Sequence, residues 1–138
     1  MQIHGSCAAR LGAAVVVLGP PGSGKSDLVF RLLGRGFELV SDDRTDIDDG
    51  WASAPAALAG LLELRGLGLV RVAYVARAKL ALAVRLGIPE RLPGPQTWEH
   101  AAIPLITLDP AAVSAAQKLE WALDCALGQR GLLEGAIA

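Results

Sequence analysis

The run Ala13 to Leu18 is continuously apolar and leads directly into Gly19-Pro20-Pro21-Gly22-Ser23-Gly24-Lys25-Ser26. A fully apolar run of this length reads as a strand buried on both faces. The eight residues after it fit G-x-x-x-x-G-K-[ST] at every fixed position. From Lys25 to about Arg35 the apolar residues Leu28, Val29, Leu32 and Leu33 recur at helical spacing, and Gly36 stands as a stop. A strand, a glycine-rich turn and a helix in this order leave several backbone N–H groups unpaired at one spot, where a polyphosphate satisfies them. Gly19, Gly22 and Gly24 lack the Cβ that would block the approach. Pro20, Pro21 and Ser23 complete the nucleotide-binding loop, Lys25 reaches the outer phosphates, and the Ser26 hydroxyl is placed to ligate the accompanying magnesium.

The stretch Phe37 to Ser41 reads as the next strand, ending in Asp42-Asp43. A strand-helix-strand crossover is parallel, which brings the two aspartates to the same sheet edge as the loop. Residues 2 to 10 read as a first strand carrying His4, joined to the apolar run at Leu11-Gly12. Further strand material is expected at Leu61 to Arg65, Leu67 to Tyr74 and Lys79 to Leu86, with two short strands between Thr97 and Thr107. Three prolines and two glycines make residues 87 to 95 a loop. Asp109-Pro110 is read as the N-cap and first-turn proline of a last helix from about Ala111 to Leu127, burying Val113, Ala116, Leu119, Leu123 and Leu127.

The chain has 138 residues, about half of them apolar, enough for one domain over 1–138 with a substantial core. Thirteen basic and fourteen acidic side chains give a net charge of -1, so no broad positive field is available to hold nucleic acid. No stretch approaches 18 uncharged apolar residues and no secretory leader is evident, so a cytoplasmic protein without membrane insertion is expected. Cys7 and Cys125 lack metal-ligand spacing and read as packed thiols.

Asp42 and Asp43 are the first candidates for chemistry, since adjacent carboxylates at a strand end can divide the labour between a metal and a hydroxyl proton. Aspartates after strands also make ordinary turns. Glu63, between leucines, falls on the face that they leave, and the following R-G-L-G suits either close backbone approach or a bulge. His4 reads first as an ordinary surface or hydrogen-bonded strand histidine. Arg91 lies in Pro89-Glu90-Arg91-Leu92-Pro93, where prolines could aim a guanidinium at a phosphate or leave it solvated.

Taken together, His4-Gly5, G-P-P-G-S-G-K-S, R-G-F-E-L-V-S-D-D, L-E-L-R-G-L-G and E-R-L-P, in this order and spacing, resemble the catalytic domain of the HPr kinase/phosphorylase family. The resemblance implies an α/β fold: a P-loop kinase domain with a mixed sheet, similar to the phosphoenolpyruvate carboxykinase-like fold. It implies a protein serine kinase that uses ATP and Mg2+ to phosphorylate an HPr-like phosphocarrier of the phosphotransferase system. By the same resemblance Asp43 is the base, Ser26 and Glu63 hold magnesium, Lys25 holds the outer phosphates, and His4 and Arg91 are active-site residues. It further implies a homo-oligomer, a hexamer in the family, and similarity to short alphaproteobacterial members that have only the catalytic domain. The family's basic, glycine-containing loop for phosphorolysis corresponds here to Ile103-Pro104-Leu105-Ile106-Thr107-Leu108-Asp109, without Lys or Arg, which makes phosphorylase activity doubtful. The alternatives are a nucleotide-sensing regulatory module with little turnover, and a small-molecule kinase on the same scaffold.

Overall fold

The computed structural model describes residues 1–137; Ala138, the last residue of the expected domain, lies outside them. Ten strands and two α-helices are present among the described residues. Strands β1 (Gln2–Arg10) and β2 (Ala13–Leu18) form an antiparallel hairpin, with Gly5 opposite Leu18 and Arg10 opposite Ala13. Helix α1 (Lys25–Leu33) follows the glycine-rich loop and leads to β3 (Glu38–Ser41). Because β3 pairs antiparallel with β1, which is itself antiparallel to β2, strands β2 and β3 run parallel with β1 between them. That is the expected crossover, with an extra strand inserted.

The chain continues through β4 (Arg44–Asp48) and β5 (Trp51–Ser53), a hairpin turned by Asp49-Gly50, both at positive φ. β4 shares one edge of β1 with β3, taking Gln2 to His4 while β3 takes Cys7 to Ala9. β5 pairs with β8 (Ala78–Leu86), and β8 lies parallel to β2, so β2, β1, β4, β5 and β8 close into a circuit. β10 (Ile103–Leu108) adds in parallel beyond β8, with β9 (Thr97–Trp98) at the rim. The eight-stranded mixed sheet therefore places the C-terminal ends of β2, β3, β8 and β10 at one edge. β6 (Leu61–Leu64) and β7 (Gly68–Arg71) form a separate two-stranded hairpin. The expected Leu67 to Tyr74 strand is thus shorter, and Tyr74 only bridges to Leu39.

Strand alternation divides the interior in two. Val15 and Val17 of β2 face α1 and the last helix, α2 (Ala115–Ala126), and pack with Leu28, Leu32, Leu119 and Leu123. Ala14 and Val16 face the inside of the circuit, where small residues such as Cys7, Ala9, Ala52 and Ala83 fit the narrow space. Burial there pushes the Cys7 thiol well above its ordinary value. Cys125 is half-buried, and neither cysteine is in a disulfide.

The last helix departs from expectation at its start. Asp109 Oδ1 accepts from the Ala111 N–H at 2.9 Å, and its carbonyl accepts from Ala112 N–H at 3.1 Å, which makes a local turn. A second turn follows, with Ala115 N–H donating to the Ala112 carbonyl at 3.1 Å, while the Pro110 carbonyl accepts from Arg31 at 2.8 Å. α2 therefore begins only at Ala115, and Val113 projects fully into solvent instead of joining the buried stripe. Leu127, just past the helix, is also exposed. No helix among the described residues is long and apolar enough to cross a membrane.

Candidate active site

The glycines of the loop have the backbone that the motif requires. Gly22 and Gly24 have φ of 78° and 102°, values that an L side chain strains to adopt, and Gly24 is the N-cap of α1. A Cβ on Gly19 would stand 2.5 Å from Ser23 Oγ. That Ser23 hydroxyl is buried without a hydrogen-bond partner among the described residues. Lys25 is only 7% exposed and donates from Nζ to the carbonyls of Gly19 and Pro20 at 2.8 and 3.0 Å. Two of its three donors thus brace the loop, and the third remains for an anion.

Asp42 is the hub of the site. Its Oδ1 accepts from Ser6 Oγ at 2.8 Å and from Ser26 Oγ at 2.7 Å, and its Oδ2 accepts from the Glu63 N–H at 3.1 Å. One buried carboxylate therefore ties β1, the start of α1 and the β6–β7 hairpin together. The next residue behaves differently. Asp43 has φ 67°, with Arg44 N–H donating back to the Asp42 carbonyl at 2.7 Å, so three residues make a tight positive-φ turn. Asp43 N–H donates to Ser6 Oγ at 3.1 Å, and its carbonyl accepts from Gly5 N–H at 2.9 Å. Pinned by β1 on both backbone groups, the turn buries Asp42 and leaves the Asp43 side chain exposed in the cavity. A non-glycine residue held at positive φ beside a phosphate-type loop is backbone strain at a place where chemistry would use it.

A cavity of about 610 Å³ has Lys25, Ser26, Asp43 and Glu63 in its lining. The structure thus brings together four of the residues singled out from sequence. His4 is exposed on β1 opposite Arg44, one residue before the Gly5 that holds Asp43, but does not line this cavity. Arg91 is exposed on the loop that leaves β8; Leu18 stands opposite Arg85, so that loop rises from the same edge as the phosphate-type loop, although Arg91 does not line the cavity either. Ile103 to Leu108, matched above to a basic loop, is strand β10.

Three participants were not assigned a role from sequence. Ser6 is the one hydroxyl in the buried middle of β1, between Gly5 and Cys7, and that placement is its signal in the sequence. Asp42 could not be separated from Asp43 without the turn. Arg65 reaches across the cavity: a Cβ on Gly22 would meet its guanidinium at 3.6 Å.

No group of three or more His, Cys, Asp or Glu is arranged to cage a metal among the described residues. That suits magnesium, which keeps several waters and takes one or two protein ligands beside substrate phosphates. The Ser26 hydroxyl, with its hydrogen committed to Asp42, and the Glu63 carboxylate in the same cavity are a hard-oxygen donor set that fits it.

Residues 1–81 match the family described as HPr Serine kinase C-terminal domain. The chain is 34% identical over 134 residues to an HPr kinase/phosphorylase of Xanthomonas campestris pv. campestris, covering 78% of this chain and 42% of the relative. An HPr kinase/phosphorylase of Xylella fastidiosa is 35% identical over 132 residues, covering 77% and 41%. One from Streptococcus thermophilus is 39% identical over 76 residues, covering 51% and 25%. The chain therefore spans less than half the length of these relatives. Among solved structures, the Hpr(Ser) kinase/phosphatase from Coxiella burnetii superposes with a TM-score of 0.76 at 22% identity, over 95% of this chain and 99% of that one, which establishes the same fold. With the family match extending from β1 through the loop, the Asp42-Asp43 turn and the β6–β7 hairpin into β8, the chain belongs to the HPr Serine kinase C-terminal domain family.

Proposed function

We propose that residues 1–138 are one catalytic unit, an ATP-dependent protein serine kinase that acts in the cytoplasm on an HPr-like phosphocarrier of the phosphotransferase system. The observation that carries this reading is the Asp43 turn: a carboxylate held at positive φ, in the same cavity as Lys25 and Ser26, by backbone bonds to β1. The loop N–H groups and Lys25 hold the β- and γ-phosphates. Asp43 takes the proton from the acceptor serine as its Oγ bonds to the γ-phosphorus; the bond from that phosphorus to the bridging oxygen breaks, and ADP leaves. Ser26 and Glu63 would hold Mg2+, which when bound neutralises phosphate charge. Asp42 acts through others, orienting the Ser26 hydroxyl and the backbone at Glu63. His4, at the rim beside the Asp43 turn, and Arg91, on the adjoining loop, complete the proposed site. Phosphorolysis is proposed to be weak, since the stretch matched to the basic loop is a strand without Lys or Arg.

The test is the intact mass of a purified HPr-like protein after incubation with this chain and Mg-ATP. One added phosphate, mapped to serine, is the expected result. Demonstrable ATP binding with no added mass would favour a nucleotide-sensing module and overturn the kinase reading.

A further inference from the structure

The same cavity has apolar walls that phosphoryl transfer leaves unexplained: Pro21, Phe30, Leu64 and Leu67, from the loop, α1 and the β6–β7 hairpin. Phe30 is 49% exposed although Leu28, Val29 and Leu32 already bury the inward stripe of α1 completely. Leu67, at the hairpin turn, is 76% exposed. Neither side chain contributes to the core that orders its element. We propose that Phe30 and Leu67 clasp the nucleobase of the nucleotide whose phosphates lie on the loop.

Position decides between this occupant and the acceptor protein. Phe30 follows Ser26 by four residues, so both stand on one face of α1, separated by about 6 Å along the axis. Helical side chains lean towards the N-terminus, which tilts the ring back to the loop. Asp27, also lining the cavity, stands between the two. A nucleotide joins a polyanion to a flat apolar ring through a short sugar, and this one cavity is lined both by the glycine-rich loop and by an aromatic face. The reacting hydroxyl of an acceptor, by contrast, needs only a place beside Asp43. A volume of about 610 Å³ suits a ligand of nucleotide size.

The inference rests on the nucleotide-dependent function proposed above, and the choice of ligands separates the two. Calorimetric titration compares Mg-ATP with Mg-tripolyphosphate, which offers the phosphates without the base, on the unaltered chain and on Phe30→Ala, Leu67→Ala and Phe30→Trp. Loss of base stacking is expected to weaken Mg-ATP about tenfold in Phe30→Ala and less in Leu67→Ala. Tripolyphosphate should stay within about twofold, and Phe30→Trp should retain ATP affinity, because stacking needs only an aromatic face. Unchanged ATP affinity in both alanine variants, or equal weakening of both ligands, overturns the clasp while leaving the phosphate site in place. If the unaltered chain binds neither ligand, the proposed function fails and the clasp with it.

Discussion

Asp42 and Asp43 are chemically identical neighbours with opposite fates, and one backbone angle separates them. Asp42 is buried under three donors. Asp43, at φ 67°, is turned outward. The strand pattern announced that adjacent carboxylates point opposite ways, but not which would be buried, because the positive φ is imposed by bonds to Gly5 and Ser6 from a strand 37 residues earlier. The strain makes a prediction. Asp43→Gly removes the Cβ that disfavours positive φ and should raise unfolding free energy by about 0.5–1 kcal/mol in denaturant titration while abolishing transfer. A destabilised Asp43→Gly would show that the turn is not strained. Asp42→Ala should do the reverse to stability, costing about 2–4 kcal/mol because two hydroxyls and an N–H lose their acceptor.

At the scale of elements, the segments anchored by strong local signals were legible. β1, β2, α1, β3 and β8 fall within a residue or two of the sequence reading, since continuous apolar runs and a glycine stop determine them locally. The start of α2 was not, because two successive turns, Asp109 to Ala112 and Ala112 to Ala115, occupy the segment ahead of the helix. Nor was the separate β6–β7 sheet, whose tie to the site is the long-range bond from Glu63 N–H to Asp42. α2 is in turn fastened to the main sheet by Asp124, which accepts from Arg10 at the end of β1 at 2.6 Å and pairs with Arg130 at 3.3 Å. The hydrogen bond from Arg10, with help from Arg130, holds the Asp124 carboxyl below its ordinary value. A depressed carboxyl gives its full stabilisation above the unfolded value, near 3.9, and loses it as pH falls through the lower folded value. Asp124→Asn should therefore cost about 1 kcal/mol at neutral pH, discounted for partial exposure, and the gap from the unaltered chain should narrow as pH falls below the unfolded value and close once it is below the depressed folded one. A gap independent of pH would mean that Asp124 acts through packing and not through its charge.

Across the whole molecule, the sheet converts sequence separation into proximity. Parallel β2, β3, β8 and β10 send four connections to one edge: the phosphate-type loop, the Asp42-Asp43 turn, the Arg91 loop and the Asp109-Pro110 turn. Pro110 packs so closely that a Cβ on Gly24 would stand 3.4 Å from it, so the last of these also shapes the first. Motif spacing made the loop and the paired aspartates legible as one site. It could not show Ser6 and Arg65 joining them, because those contacts depend on which strands flank β1 and on where the hairpin leans. The proposed function has this edge align a nucleotide for attack, with Asp43 as base but not as a holder of the nucleotide. Its most direct test pairs Mg-ATP affinity with the rate of phosphate transfer in Asp43→Asn, a substitution that tolerates positive φ and keeps the shape of the side chain but cannot take the proton. The expected affinity lies within about threefold of the unaltered chain, and the expected transfer rate is lower by at least about a hundredfold. Normal transfer, or loss of nucleotide binding in step with loss of transfer, would contradict it.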